Sequence, residues 1–167
     1  MDLDEVFKRH VNDVYRYLFS LSKDHYLAED LVQEAFYRAY VQLEDYQISN
    51  IKAWLFKVAY HAFVDYKRKH QRVIVKEEIT YQSADHRSPE NAFLEKESYQ
   101  LLLYAIHSLP EKEKHVILLC DLHGLAYKEA AEILNMKLNT LKSHLFRGRK
   151  KAVALIKELK HIDESRS

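Results

Sequence analysis

The chain has 167 residues, 47% hydrophobic and 31% charged, with two glycines, two prolines, one cysteine and a net charge of +1. That length makes one compact domain or two small ones, and so little glycine and proline argues against a turn-rich β fold. No run approaches the ~18 uncharged apolar residues of a membrane span, and the N-terminus is charged from Asp2 onward, so neither a span nor a signal peptide is expected.

Leu3 to Ser20 places Val6, Val14, Leu18 and Leu21 on one helical side. His25 to Tyr46 carries Leu27, Leu31, Ala35, Ala39 and Leu43 at intervals of four, with Asp30, Gln33, Glu34, Tyr37 and Val41 opposite. Asp24, Glu29, Asp30, Glu34, Glu44 and Asp45 face only Arg38 in charge, which suggests a protein partner. Ile51 to about His70 aligns Leu55, Val58, Ala59, Ala62, Phe63 and Tyr66, and presents Lys57, Tyr60, His61, Val64 and Arg68 on its other face. Trp54, beside Leu55, is read as core. These three helices suit a small bundle.

The periodicity then stops. "QRVIVKEEITYQSADHRSPEN" (71–91) is polar and irregular, and the one strand-like stretch inside it has no second strand to pair with, so it reads as a flexible linker. Twenty such residues reach at most about 70 Å, the span of about two turns of B-DNA. Ala92 to His107 is expected to be a helix through Phe93, Leu101, Leu102, Tyr104 and Ala105. Pro110 suits the first turn of the next, Glu111 to about His123, and Gly124 suits a left-handed C-cap. Cys120, inside the apolar run "HVILLCDL", reads as a core residue in a reducing cytoplasm.

"LAYKEAAEILNMKLNTLKSHLFRGRKKA" (Leu125 to Ala152) then reads as a short helix, a tight break and a longer basic helix. Tyr127, Ala130, Ala131 and Leu134 form a small-residue face that a second helix can cross closely. Asn135 to Leu138 makes the turn, where Asn135 tolerates a left-handed backbone. Leu138, Leu141, Leu145 and Gly148 become the buried side of the second helix. Lys142, Ser143, Phe146, Arg147 and Lys150 become its outer side, with Asn139 or Thr140 capping its start. Cations there would contact phosphates and guanine edges, while Ser143 and Phe146 would touch base edges and thymine methyls.

No catalytic reading arises. There is no glycine-rich phosphate loop, no cysteine pair and no His-Glu-x-x-His spacing, so no enzyme activity, cofactor, metal site or small-molecule substrate is expected. The ten histidines are scattered, and His115 and His123 read as surface residues.

Two blocks together carry a resemblance. "AEDLVQEAFYRAYVQLEDY" with "IKAWLFKVAYHAFVDYKRK", and "LPEKEKHVILLCDLHGLAYKEAAEILNMKLNTLKSHLFRGRKKA", resemble in this order the extracytoplasmic-function (ECF) group of bacterial RNA polymerase sigma factors. The resemblance implies an all-α protein of two small helical domains joined by a flexible linker: 1–70 for the polymerase clamp and −10 promoter DNA, 71–91 as linker, and 92–167 with a helix-turn-helix for −35 DNA. It implies that Asp30, Gln33, Glu34 and Tyr37 contact core RNA polymerase. It gives −10 DNA to the loop from Asp45 to Lys52 and to Lys57, Tyr60 and His61, with Lys67, Arg68, Lys69 and Arg72 on phosphates. It gives −35 DNA to Asn139, Thr140, Lys142, Ser143, Phe146, Arg147 and Lys150. It also implies an anti-sigma factor, often membrane-anchored, that masks these surfaces of a cytoplasmic protein until a stress releases them.

The chain departs from the family pattern at three places. Tyr60-His61 stands where relatives usually carry Arg-Asn, Ala126 where they usually cap a helix with Ser or Thr, and Asn139 where they often have Gly. The rival readings are a stand-alone helix-turn-helix regulator and an adaptor that binds only proteins. The first would bind duplex tightly without polymerase. The second would lack the salt dependence of phosphate contacts.

Overall fold

The structure, a computed structural model, describes residues 2–43, 50–71 and 93–166. Residues 45–49 of the expected loop from Asp45 to Lys52, Arg72 and all but the first residue of the expected linker lie outside these; Ile51 and Lys52 of that loop belong to α3. Every regular element among the described residues is helical: α1 Leu3–Ser22, α2 His25–Leu43, α3 Ile51–Gln71, α4 Phe93–His107, α5 Glu111–Ile117, α6 Tyr127–Leu134 and α7 Leu138–Arg166. The chain divides into two compact units, Met1–His86 and Arg87–Ser167.

In the first unit, short polar side chains start each helix. Asp2 accepts from the Asp4 N–H at 3.2 Å, Asp24 from Tyr26 and Leu27 at 3.0 and 3.2 Å, and Asn50 from Ala53 at 3.1 Å. Each satisfies backbone donors that a helix start leaves unpaired. The three helices then pack mutually. Val6, Val14, Leu18 and Leu21 of α1 are buried as their spacing requires, as are Leu55, Val58, Ala59, Ala62 and Phe63 of α3, which packs against α1.

The α2 stripe is broader than intervals of four suggest. Ala28, Leu31, Val32, Ala35, Phe36 and Ala39 are buried, and Leu27 is only half-buried. Two helices cover α2, so its apolar arc must be wide. Tyr17, fully buried, stacks on Phe56 at 4.8 Å, and Phe7 meets Phe36 edge-on at 4.9 Å. Burial pushes the Tyr17 phenol well above its ordinary range, with Tyr60 adding to the effect. Trp54 is half-buried rather than core, because it lies at the start of α3.

In the second unit, Pro110 sits just outside α5, at the N-cap, rather than in its first turn. The expected single helix to His123 instead ends its α-helical part at Ile117 and continues as a π-helical turn, Leu118–Leu122. The His123 N–H reaches back to the Leu118 carbonyl at 3.1 Å, and Gly124 takes the left-handed conformation expected of it, with φ +70°. Cys120 is buried, and burial lifts its thiol to about 11, so it behaves as a core residue. His115 is a correction: it is buried, with Nε2 3.0 Å from Glu111 Oε2. Burial alone would raise the Glu111 carboxyl, but Lys114 and His115 hold it down to about 2. Tyr104 of α4 is also a correction, being 60% exposed.

The helix-turn-helix follows. Ala130, Ala131 and Ile133 of α6 are buried, as are Leu141, Leu145, Gly148 and Ala152 of α7. Asn135 closes α6 in the left-handed conformation, and the Met136 N–H donates to the Ala131 carbonyl at 3.0 Å, a Schellman closure. Tyr127 and Leu138 differ from expectation, at 37% and 36% exposed. Both lie at the first residue of their helices, where a steep crossing leaves the edge uncovered.

Ala126 provides no side-chain cap, but its N–H donates to Glu129 Oε1 at 3.0 Å, which supplies the reciprocal half of a capping box. Ala126→Ser adds the missing acceptor and is expected to stabilise this unit by about 0.5–1 kcal/mol. A higher urea midpoint of the full-length protein checks this.

Candidate nucleic-acid and protein-binding surfaces

On the first unit, α2 turns Asp30, Gln33, Glu34 and Tyr37 outward, all exposed, with Tyr37 65% exposed. The spacing of three and four puts them on one ridge. Tyr40 and Val41, 61% and 54% exposed, extend it with apolar surface. Glu34 is not a loose charge. It accepts from Arg38 Nε at 2.8 Å, and Arg38 Nη1 donates to Asp65 of α3 at 3.0 Å. Arg68 shares that carboxylate at 3.1 Å. The ridge is therefore braced across two helices by a chain of charge-assisted hydrogen bonds. Asp65 is the residue that the sequence reading missed. Its only sequence signal was an acid among the basic residues closing α3.

On α3, Lys57 and Tyr60 are half-buried, and His61, Lys67 and Arg68 are exposed. Lys57, Tyr60, His61 and Arg68 share one helical face. Tyr60 and His61 rings lie 6.1 Å apart, and the Lys67 ammonium stands over the Phe63 ring at 5.6 Å. Tyr66 and His70 stack at 3.9 Å near the helix end. The Tyr60 and His61 rings, with Lys57 and Arg68 on the same face, give the combination of aromatic edges and cations that suits an unpaired strand. Arg68 enters it already paired to Asp65, so a phosphate must compete with that carboxylate for the guanidinium.

On the second unit, Lys142, Ser143, Phe146, Arg147 and Lys150 are all exposed on α7, Phe146 at 66%. From first to last they cover about 12 Å along the axis, the width of a DNA major groove. The Lys150 ammonium stands over the Phe146 ring at 5.7 Å. Asn139 and Thr140 are exposed in the first turn of a helix that begins at Leu138, rather than capping it from outside. They flank backbone N–H groups able to meet a phosphate.

The basic residues of α7 divide into distinct classes, which sequence reading did not distinguish. Arg149 points back into the unit, donating to both oxygens of Asp121 at 2.9 and 2.7 Å and to the Tyr127 hydroxyl at 3.4 Å. Asp121 and Tyr127 raise its already high pKa further, so it fastens α7 to the π-helical turn and to the start of α6. Lys151 pairs with the buried Glu113 of α5 at 3.0 Å. Arg147 is intermediate: half of it is exposed, yet Nε lies 3.6 Å from Glu113, and Nη2 donates to His144 Nδ1 at 3.1 Å. Burial and the Arg147 charge hold the His144 imidazole below its usual range.

Among the described residues no helix is long and apolar enough to cross a membrane, and no group of three His, Cys, Asp or Glu side chains could hold a metal ion.

Comparison with known proteins places both surfaces in context. The family profile for sigma-70 region 2 matches residues 6–73, and that for sigma-70 region 4 matches residues 99–151. The ECF RNA polymerase sigma factor SigM of Bacillus subtilis (strain 168) is 39% identical over 155 residues, covering 93% of this chain and 95% of that one. The ECF RNA polymerase sigma factor SigE of Mycolicibacterium smegmatis is 32% identical over 149 residues, covering 87% of this chain and 58% of that one. Among solved structures, the sigma factor RpoE in complex with the anti-sigma factor NepR from Bartonella quintana matches with a TM-score of 0.78 at 26% identity, over 92% of this chain and 96% of that one. CnrH, solved with the cytosolic domain of CnrY, matches at 0.68 and 20% identity, over 93% of this chain and 88% of that one, a likeness of fold alone.

Proposed function

Because the chain belongs to the extracytoplasmic-function group of sigma-70 RNA polymerase sigma factors, we propose a division of promoter recognition between its two units. A factor of this group directs promoter-specific initiation, and the polymerase carries out the transcription reaction. The α2 ridge of Asp30, Gln33, Glu34 and Tyr37 binds core polymerase. The α3 face of Lys57, Tyr60, His61, Lys67 and Arg68 engages −10 DNA. The α7 face from Asn139 and Thr140 through Lys142, Ser143, Phe146, Arg147 and Lys150 reads the −35 element. The domains run 1–70 and 92–167, with 71–91 linking them. A cytoplasmic protein of this kind is held inactive by an anti-sigma factor, a reading supported by the RpoE–NepR relative.

The observation that carries the α7 assignment is its single exposed face of cations, a serine and an aromatic ring, in the half of the chain that matches region 4. Arg147→Ala removes a fork-shaped donor from that face. It is expected to lower −35-dependent output by about 5–150-fold, the equivalent of ~1–3 kcal/mol for one base contact, without changing polymerase binding. Pull-down of core polymerase followed by run-off transcription on genomic fragments tests the whole reading. Discrete new start sites are expected, and absence of polymerase binding would refute it.

A further inference from the structure

The Glu113 carboxylate is only 7% exposed, yet it lies directly beneath the recognition face. It accepts from Lys151 Nζ at 3.0 and 3.2 Å and faces Arg147 Nε at 3.6 Å. Arg147 and Lys151 are four apart on α7, so they leave the helix on the same side, one on either side of Gly148 in the chain. Gly148 brings α7 close enough for this: a Cβ there would stand 3.2 Å from Glu113 Cβ. A buried carboxylate requires cationic partners, and here it has two. Lys151 holds it with two contacts, whereas Arg147 holds it through Nε at longer range. The outer end of the Arg147 guanidinium is fixed from the other side by His144 Nδ1 at 3.1 Å. Without these two contacts, a half-exposed arginine would sample many rotamers.

We propose that Glu113 is a positioning residue for −35 recognition: it orients Arg147 for base readout and withholds Lys151 from unselective phosphate contact. The inference rests on the assignment of Arg147 to the −35 element. It adds that discrimination depends on an acid that never touches DNA. Glu113 lowers the positive field of the face while sharpening the one side chain suited to guanine, which trades unselective affinity for selectivity.

The test uses full-length protein assembled with core polymerase. The probes are duplexes recovered by selection with the wild-type holoenzyme, and the same duplexes scrambled at −35. Discrimination is the ratio of the two affinities. Wild type that fails to discriminate, or Arg147→Ala that keeps full discrimination, refutes the −35 assignment and this inference with it. If that assignment stands, Glu113→Gln is expected to reduce discrimination about 5–20-fold, within the range for contacting residues. It is also expected to steepen the salt dependence on scrambled duplex by about 0.9 for each cation released. In the Arg147→Ala background, Glu113→Gln should change discrimination no further. An equal loss in both backgrounds would show a structural role and overturn the proposal, as would no loss, or a gain, in the wild-type background. Should Glu113→Gln fail to fold, Glu113→Asp carries the test. It keeps a buried charge for Lys151 but draws it back from Arg147, and retained discrimination in that variant equally overturns the proposal.

Discussion

Asp30→Lys combined with Glu34→Lys is expected to weaken core polymerase binding at least ~100-fold, the scale of losing a charged hot spot and inserting like charge. Both side chains are exposed on the α2 ridge beside Tyr37, so neither substitution opens the core. Glu34 also anchors Arg38, which would then meet a lysine. Arg38 keeps Asp65 at 3.0 Å, so the brace between α2 and α3 survives and the unit stays folded. Binding of isolated −35 duplex, which uses the other unit, should be unaffected. Competition for fluorescent core polymerase against the wild-type protein measures the effect. Undiminished competition by a variant with an unchanged melting temperature would remove the clamp assignment.

Gly148→Val is expected to destabilise the second unit by about 2–3 kcal/mol, the usual scale of overpacking. An added Cβ would lie 2.8 Å from Ile117 Cδ1 and 3.2 Å from Glu113 Cβ. The first neighbour is the end of a flexible side chain and can move. The second is close to backbone and part of the Glu113–Lys151 pair, so it cannot yield without disturbing a buried charge. Gly148→Ala is a sharper comparison. It meets the same Cβ contact, but gains about 1 kcal/mol of helix propensity, and so should fall within ~1 kcal/mol of wild type. Valine brings two further carbons and recovers only a fraction of that propensity. Urea unfolding of the full chain measures both, and a valine variant as stable as the alanine one would show that α7 does not approach α5 this closely.

The helical stripes were legible because periodicity is local. Val6, Val14 and Leu18, or Ala130, Ala131 and Leu141, reveal a buried side wherever their helix docks. Asn135 and Gly124 were legible for the same reason, since the backbone conformation each favours depends on the residue itself. Exposure of Asp30, Gln33, Glu34, Tyr37 and of the outer α7 face followed by exclusion from those stripes. Four misread positions lie where helix coverage ends. Tyr127, Leu138, Trp54 and Tyr104 fit an apolar pattern, but their burial depends on how far a neighbouring helix extends. His115 looked like surface and is buried against Glu111.

By itself, then, the sequence determined two helical units, a helix-turn-helix and the faces each helix turns outward, because each follows from spacing within a single helix. Only the tertiary structure decided which charges on those faces reach a partner. Arg38 and Asp65 are 27 residues apart, Asp121 and Arg149 are 28 apart, and Glu113 and Lys151 are 38 apart. No local pattern relates such pairs. A charge pair forms where packing brings two helices within a few ångströms, and its strength falls with distance and with exposure to water. Arg149 and Lys150 are adjacent in the chain, yet the first fastens the fold while the second stands over Phe146 on the exposed face.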